Sequence, residues 1–164
     1  MQNNFQIINL NIMTEQQMVE VKDDFQVDIE KVLYTGKVHI TGGREGKAKS
    51  SDGRLDINLS TPGGPGTGTN PEQLFAAGWS ACFIGAMRHN APKLSITIPN
   101  DVAIDAEVDL ASKDDGFCLQ ARLNVSLPGL SPEQAQALIE AAHETCPYSK
   151  ATRGNINVQI NVSV

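Results

Sequence analysis

The sequence predicts an α+β fold with mainly antiparallel sheets and two main helices, and three observations carry that prediction. Several stretches alternate apolar and polar residues with a period of two. Two others open with complete helix-start signals. The resulting order is strands, helix, hairpin, helix, strand, whereas a doubly wound parallel sheet would need regular alternation of strand and helix.

Taken in chain order, residues 32–41 form the first strand of a hairpin that turns through Gly42-Gly-Arg-Glu-Gly46 into a strand ending near Ser60, with Leu55, Ile57 and Leu59 on one face. Asn70-Pro-Glu-Gln73 supplies an N-cap, a proline at the first helical position and a capping-box glutamine, so a helix runs from there to about His89, before Asn90 and Pro92. Next come Val102, Ile104, Ala106, Val108 and Leu110, then Phe117, Leu119, Ala121, Leu123, Val125 and Leu127, two alternating runs joined by the turn Lys113-Asp-Asp-Gly116. Ser131-Pro-Glu-Gln134 repeats the helix-start logic. That second helix carries Ala135, Leu138, Ile139 and Ala142 on one stripe and stops near Cys146, because Pro147 disfavours helical geometry in the residue before it. Ile156, Val158, Ile160, Val162 and Val164 form the last strand.

At 164 residues the chain suits one domain over residues 29–164, preceded by an N-terminal extension of residues 1–28. The extension has little sustained period and reads as a mobile arm or a segment that packs on a partner subunit. A chain of this length buries roughly two-thirds of its unfolded surface, so neither a metal nor a disulfide is needed to hold it, and its cysteines are free for chemistry. Thirteen basic against nineteen acidic residues give a net charge of −6, with no basic cluster, which argues against a nucleic-acid partner. The apolar stretch at residues 5–13 is broken by Asn and falls short of the roughly 20 residues a membrane helix needs. No secretory signal is read, since the first basic residue is Lys22 and no small-residue cleavage site follows an apolar core. With three cysteines at distant spacings, the expectation is a reducing cytoplasm.

Two of those cysteines stand in informative contexts. Cys82 lies in the middle of an apolar helix, among Trp79, Phe83 and Met87 and the small residues Gly78, Ala81, Gly85 and Ala86. Apolar burial raises a thiol pKa, so Cys82 is inert unless a cation ionises it. Cys146 stands at a helix C-terminus, where the negative end of the dipole disfavours a thiolate, which suits a resolving thiol better than an attacking one. Cys118 falls on the polar side of its strand and reads as a bystander.

Three cations are candidates for Cys82. Arg88 lies six residues further along the helix, about 120° around it, and reads as a solvated charge. Arg153 follows the second cysteine, and Arg44 sits in the glycine-rich turn. Glu72 is able to orient such an arginine as a bidentate carboxylate partner. On a continuous helix, however, Glu72 is roughly 15 Å from Cys82, so either Arg44 bridges the two or another subunit supplies Glu72. The loop Pro62-Gly-Gly-Pro-Gly-Thr-Gly-Thr69 lacks the Lys-Ser/Thr ending of a phosphate loop. His143 and Cys146 have the spacing of two metal ligands, but no C-x-x-C or H-E-x-x-H accompanies them, so neither a metal nor another cofactor is expected.

Gly42-Gly-Arg44, Thr69-Asn-Pro-Glu-Gln-Leu-Phe-Ala-Ala-Gly78, Ser80-Ala-Cys-Phe-Ile-Gly-Ala-Met87 and Cys146-Pro-Tyr-Ser-Lys-Ala-Thr-Arg-Gly-Asn155 together closely resemble the organic hydroperoxide resistance proteins, the Ohr branch of the Ohr/OsmC family. The likeness runs from about Val32 to Val164. It implies an OsmC-like fold and an intertwined homodimer with two active sites at the interface. It implies a peroxidatic Cys82, a resolving Cys146, and an activating network of Arg44 and Glu72. The implied reaction reduces an organic hydroperoxide to an alcohol through a Cys82 sulfenic acid and a Cys82–Cys146 disulfide, which a dithiol, usually a lipoylated protein, reduces again. Trp79, Phe83 and Met87 are expected to bind the alkyl part of the substrate. Two other classes remain open at this point: a thiol redox sensor without turnover, and a metal-binding protein using Cys82, His143 and Cys146.

Overall fold

Residues 27–164 are described by the structure, a computed structural model of the chain. The chain divides into two units, Met1–Thr35 and Gly36–Val164, and every element named below belongs to the second. The expected extension, residues 1–28, lies outside the described residues except for Val27 and Asp28.

The glycine-rich segment makes the first turn. Gly42 has φ 68°, and a Cβ on Gly46 would collide with the Thr41 carbonyl oxygen, so both positions demand glycine. The turn folds β1 (Val38–Thr41) antiparallel onto β2 (Lys47–Ser50), and β2 pairs in turn with β3 (Asp56–Asn58). The sequence reading placed a two-stranded hairpin here, starting at residue 32. The strand begins instead at Val38, and an extra strand, β2, lies between the glycine turn and β3. Lys-Ala-Lys-Ser offers only the small Ala48 to the interior, so its alternation is nearly invisible in sequence, yet Ala48 is fully buried.

A bridge between Leu59 and Thr69 brings the following loop back to the sheet, so that α1 (Pro71–Asn90) starts beside β3. The Asn70 side chain accepts the Gln73 N–H at 2.9 Å and Pro71 follows at the first helical position, but the expected capping box stays half-made, since the Gln73 side chain accepts from the Thr69 hydroxyl at 2.7 Å and not from the Asn70 N–H. This helix is apolar on nearly every side. The buried set, Trp79, Phe83, Ala86, Met87 and Asn90, follows helical spacing, and Ala77, Ala81 and Gly85 face outward.

After a short 3₁₀ turn at Ala91–Leu94, β4 (Ala103–Lys113) and β5 (Gly116–Ser126) form a long hairpin in continuous register from Ala103↔Ser126 to Lys113↔Gly116. Ala121, Leu123, Val125 and Leu127 are buried on its inner face. Phe117, expected on that face, is 82 % exposed. The hairpin outruns the helices that cover it: the core reaches only to Val108 on β4 and Ala121 on β5, so the alternation continues with nothing beneath it.

The second helix, α2 (Pro132–Thr145), has a complete capping box. The Ser131 hydroxyl accepts the Gln134 N–H, and the Gln134 side chain accepts the Ser131 N–H. Its buried residues are Ala135, Leu138, Ile139 and Ala142, the stripe read from the sequence. Cys146 then turns extended, with ψ 123°, because Pro147 follows. A further six-residue helix, α3 (Pro147–Thr152), was not anticipated. Finally β6 (Asn157–Ser163) joins β5 in parallel, Leu123 opposite Ile160, whereas the other strand pairs among the described residues are antiparallel. The core lies where α1 and α2 pack on the inner face of this second sheet.

Candidate active site

The two cysteines singled out by context meet. Cys146 Sγ lies 3.4 Å from Cys82 Sγ, with both thiols free. Each is placed by a different piece of sequence logic. Cys82 takes its place from the face of α1, half-buried beside Phe83. Cys146 occupies the joint between two helices: its N–H donates to the Ala142 carbonyl of α2 at 2.8 Å, and its carbonyl accepts the Lys150 N–H of α3 at 3.0 Å. The expectation that Cys146 closes a helix is therefore half of the matter, because it also starts the next one.

The electrostatics of the pair are unfavourable to ionisation. Burial pushes the Cys82 thiol up, the neighbouring Cys146 adds to the effect, and the Tyr148 main-chain N–H, hydrogen-bonded to the sulfur, works against it. Among the described residues no cation contributes. Arg44 donates instead to Glu72, Nη1 to Oε2 at 2.9 Å and Nη2 to Oε1 at 2.6 Å, a bidentate pair that holds the Glu72 carboxyl below its ordinary range. Arg88 is exposed, and Arg153 is engaged by Glu144 at 3.0 Å and by the His143 carbonyl at 2.8 Å.

Two sites thus exist within one chain. The thiol pair sits midway along α1, and the Arg44–Glu72 pair sits at its first turn, a full ten-residue span of about 15 Å away. The ion pair borders an open groove of about 730 Å³ with Ala76, Ala106, Val108 and Leu110 forming an apolar wall, and neither cysteine lines it. Of the two arrangements left open by the sequence, Arg44 bridging Glu72 to Cys82 within the chain is not the one observed.

The expected pocket residues need correction. Trp79, Phe83 and Met87 are each 0 % exposed and belong to the core under the sheet, so none of them lines an open cavity. A helix that is apolar all round does not announce which of its apolar side chains face solvent. Ser149 was missed as well. It is fully buried and its Oγ accepts the Trp79 Nε1–H at 3.2 Å, a contact across 70 residues that no local pattern signals. Cys118, as expected, lies on the outer face of β5, opposite Ala111 and half-buried. His143, considered above as a metal ligand, has its Nδ1 buried without a partner, and burial lowers its pKa. Among the described residues no three His, Cys, Asp or Glu side chains cluster as metal ligands would.

Residues 63–161 match the model of the OsmC-like protein family. An organic hydroperoxide resistance protein of Xanthomonas axonopodis pv. citri is 49 % identical over 138 residues, covering 82 % of this chain and 97 % of its own. The crystal structure of the organic hydroperoxide resistance protein OhrB of Bacillus subtilis superposes with a TM-score of 0.76 at 46 % identity, over 80 % of this chain and all (100 %) of that one. A crystal structure of an organic hydroperoxide resistance protein from Legionella pneumophila gives the same TM-score, 0.76, also at 46 % identity, over 82 % of this chain and 100 % of its own.

Proposed function

Since the chain belongs to the OsmC-like family, in the branch named for organic hydroperoxide resistance, we propose that it is a cysteine peroxidase that reduces organic hydroperoxides to alcohols. The observation that carries this reading is the 3.4 Å approach of Cys82 and Cys146. Two thiols so close serve no evident packing need, but they suit a nucleophile and a trap for its oxidised form.

In the proposed cycle the Cys82 thiolate attacks the distal oxygen of ROOH. The O–O bond breaks, the alkoxide takes a proton and leaves as ROH, and Cys82 becomes a sulfenic acid. The Cys146 thiol then attacks that sulfur. The S–O bond breaks, the oxygen departs as water with the thiol proton, and a disulfide remains. A dithiol, in this proposal a lipoylated protein, returns both cysteines to thiols by two exchanges. The net reaction consumes ROOH and a dithiol and yields ROH, water and the oxidised dithiol.

The missing cation supports a homodimer. Among the described residues Cys82 has no cation and Arg44–Glu72 borders an open groove without a thiol, so a second copy that seats its Cys82 on that groove would complete both. The guanidinium then lowers the Cys82 pKa while Glu72 fixes its orientation. The apolar wall of Ala76, Ala106, Val108 and Leu110 would receive the alkyl part of the substrate, favouring organic hydroperoxides over hydrogen peroxide. Among the described residues no helix is long and apolar enough to cross a membrane, and a reducing cytoplasm is proposed as the compartment that keeps these thiols reduced.

The test is intact mass after one equivalent of an alkyl hydroperoxide. Loss of two hydrogens in the wild type, and gain of one oxygen in Cys146→Ser, are expected; an unchanged wild-type mass would end the peroxidase reading. The same close thiol pair suits one other reading, a redox sensor that forms the disulfide without turnover. Repeated consumption of hydroperoxide with a dithiol present separates the two.

A further inference from the structure

The resolving thiol is held in place by a helix too short to hold itself. The six residues of α3 are far fewer than an isolated helix needs, so its direction, and with it the position of Cys146 at its start, depends on what pins it to α1. Two contacts do so. The Trp79 indole N–H donates to Ser149 Oγ at 3.2 Å with both residues fully buried. The Tyr148 ring lies over Gly78, where an added Cβ would stand 3.0 Å from Tyr148 Oη, and it packs on Phe75 with ring centroids 5.9 Å apart. Phe75 in turn meets Trp79 edge-on at 5.5 Å. The Ser149 and Tyr148 contacts run from the segment just after Cys146 to the turns of α1 just before Cys82, and the Phe75–Trp79 contact ties their two α1 ends together.

On the peroxidase reading above, we infer that Ser149 and Trp79 are positioning residues for the resolving step: their buried hydrogen bond clamps α3 to α1 and keeps the Cys146 thiol within reach of the oxidised Cys82. The first step, attack of Cys82 on the hydroperoxide, takes from this segment only the Tyr148 main-chain N–H at the Cys82 sulfur, a smaller demand than placing a second nucleophile. The second needs the Cys146 sulfur to attack the sulfenic sulfur along the S–O axis, expelling the oxygen as water. A joint that swings on loss of the clamp therefore slows the second step selectively.

The experiment uses the full chain and follows both steps in single turnover with tert-butyl hydroperoxide, quenching for mass spectrometry with dimedone to trap the sulfenic acid. In Ser149→Ala, conversion of the sulfenic acid to disulfide slows by about tenfold or more, the scale of a reacting group displaced by a fraction of an ångström, while sulfenic acid formation, which draws on α3 only through the Tyr148 N–H, slows far less. Trp79→Phe removes the same donor from the other side, behaves alike, and serves if the serine variant does not fold. Leu123→Val, a core change away from the clamp, lowers stability and leaves the ratio of the two rates as in wild type. A wild-type ratio in Ser149→Ala and Trp79→Phe, or equal slowing of both steps, overturns the clamp and leaves the peroxidase standing. A wild type that forms neither sulfenic acid nor disulfide overturns both.

Discussion

Asn90, at the last turn of α1, donates through one amide nitrogen to the Thr145 hydroxyl at 2.7 Å, one residue before Cys146. The same nitrogen reaches the Ala86 carbonyl at 2.9 Å and the Ala141 carbonyl at 3.3 Å. A buried side chain thus joins the end of one cysteine-bearing helix to the end of the other. Asn90→Ala leaves these acceptors without their donor, and a loss of about 1–3 kcal/mol of folding stability is expected, measured by urea unfolding. A loss near zero would show that water replaces the amide.

The thiols divide the labour of turnover. Cys82→Ser is expected to lower hydroperoxide consumption by about 10³-fold or more, the scale seen when a nucleophile is removed. Cys146→Ser retains the first oxidation and forms no intramolecular disulfide. Single-turnover kinetics with cumene hydroperoxide, followed by mass, distinguish these outcomes from a shared loss of both steps.

The bidentate Arg44–Glu72 pair predicts a pH signature. In Arg44→Lys the fork geometry is lost although the charge remains, and in Glu72→Gln the guanidinium loses its anchor. Both variants should move the pH–rate profile for hydroperoxide reduction to the alkaline side, with a rate at neutral pH about tenfold lower for each unit by which the Cys82 pKa climbs. Profiles that superpose on wild type would remove Arg44 from the activation of Cys82.

Acid should weaken the second sheet at a definable place. Asp109 accepts from Arg122 at 2.8 and 3.0 Å and from Gln120 at 2.7 Å, and with the Arg122 bonds as the main cause its pKa is lowered to about 2. A folded-state pKa below the unfolded value of about 3.9 means that the stabilisation is complete above pH ~4 and is lost as pH falls toward 2. The urea midpoint of Asp109→Asn should therefore fall less than that of wild type between pH 5 and pH 2.5. Because the carboxylate is half-exposed, salt should shrink the difference.

Much of the fold was legible because its signals are local. Both long helices begin at a side-chain cap followed by a proline, α2 with a full capping box, and the α2 stripe lies within a few turns. The edges of legibility are equally physical. β2 exposes two lysines around one small alanine, and α3 is too short to display a period. On α1, apolar residues surround the axis, so sequence could not divide core from surface, and Trp79, Phe83 and Met87 were assigned to the wrong side. The cysteine pair was suggested by context, but their contact and the Arg44–Glu72 pairing are long-range facts. Reading residues alone left Arg44 among three arginines; the family resemblance singled it out.

The parallel pairing of β6 with β5 bears on the order in which the molecule is assembled. Parallel neighbours need a crossover between them, and here that crossover is α2, the Cys146 joint and α3. During synthesis the hairpin of β4 and β5 exists while its third strand has yet to be made, and α1 has no α2 to cover it. Cys82 therefore leaves the ribosome well before the layer that shelters it and before its partner thiol. A nascent chain meeting an oxidant in that interval would expose a solitary sulfur, open to capture by small thiols, and protection would arrive only as the last strand docks.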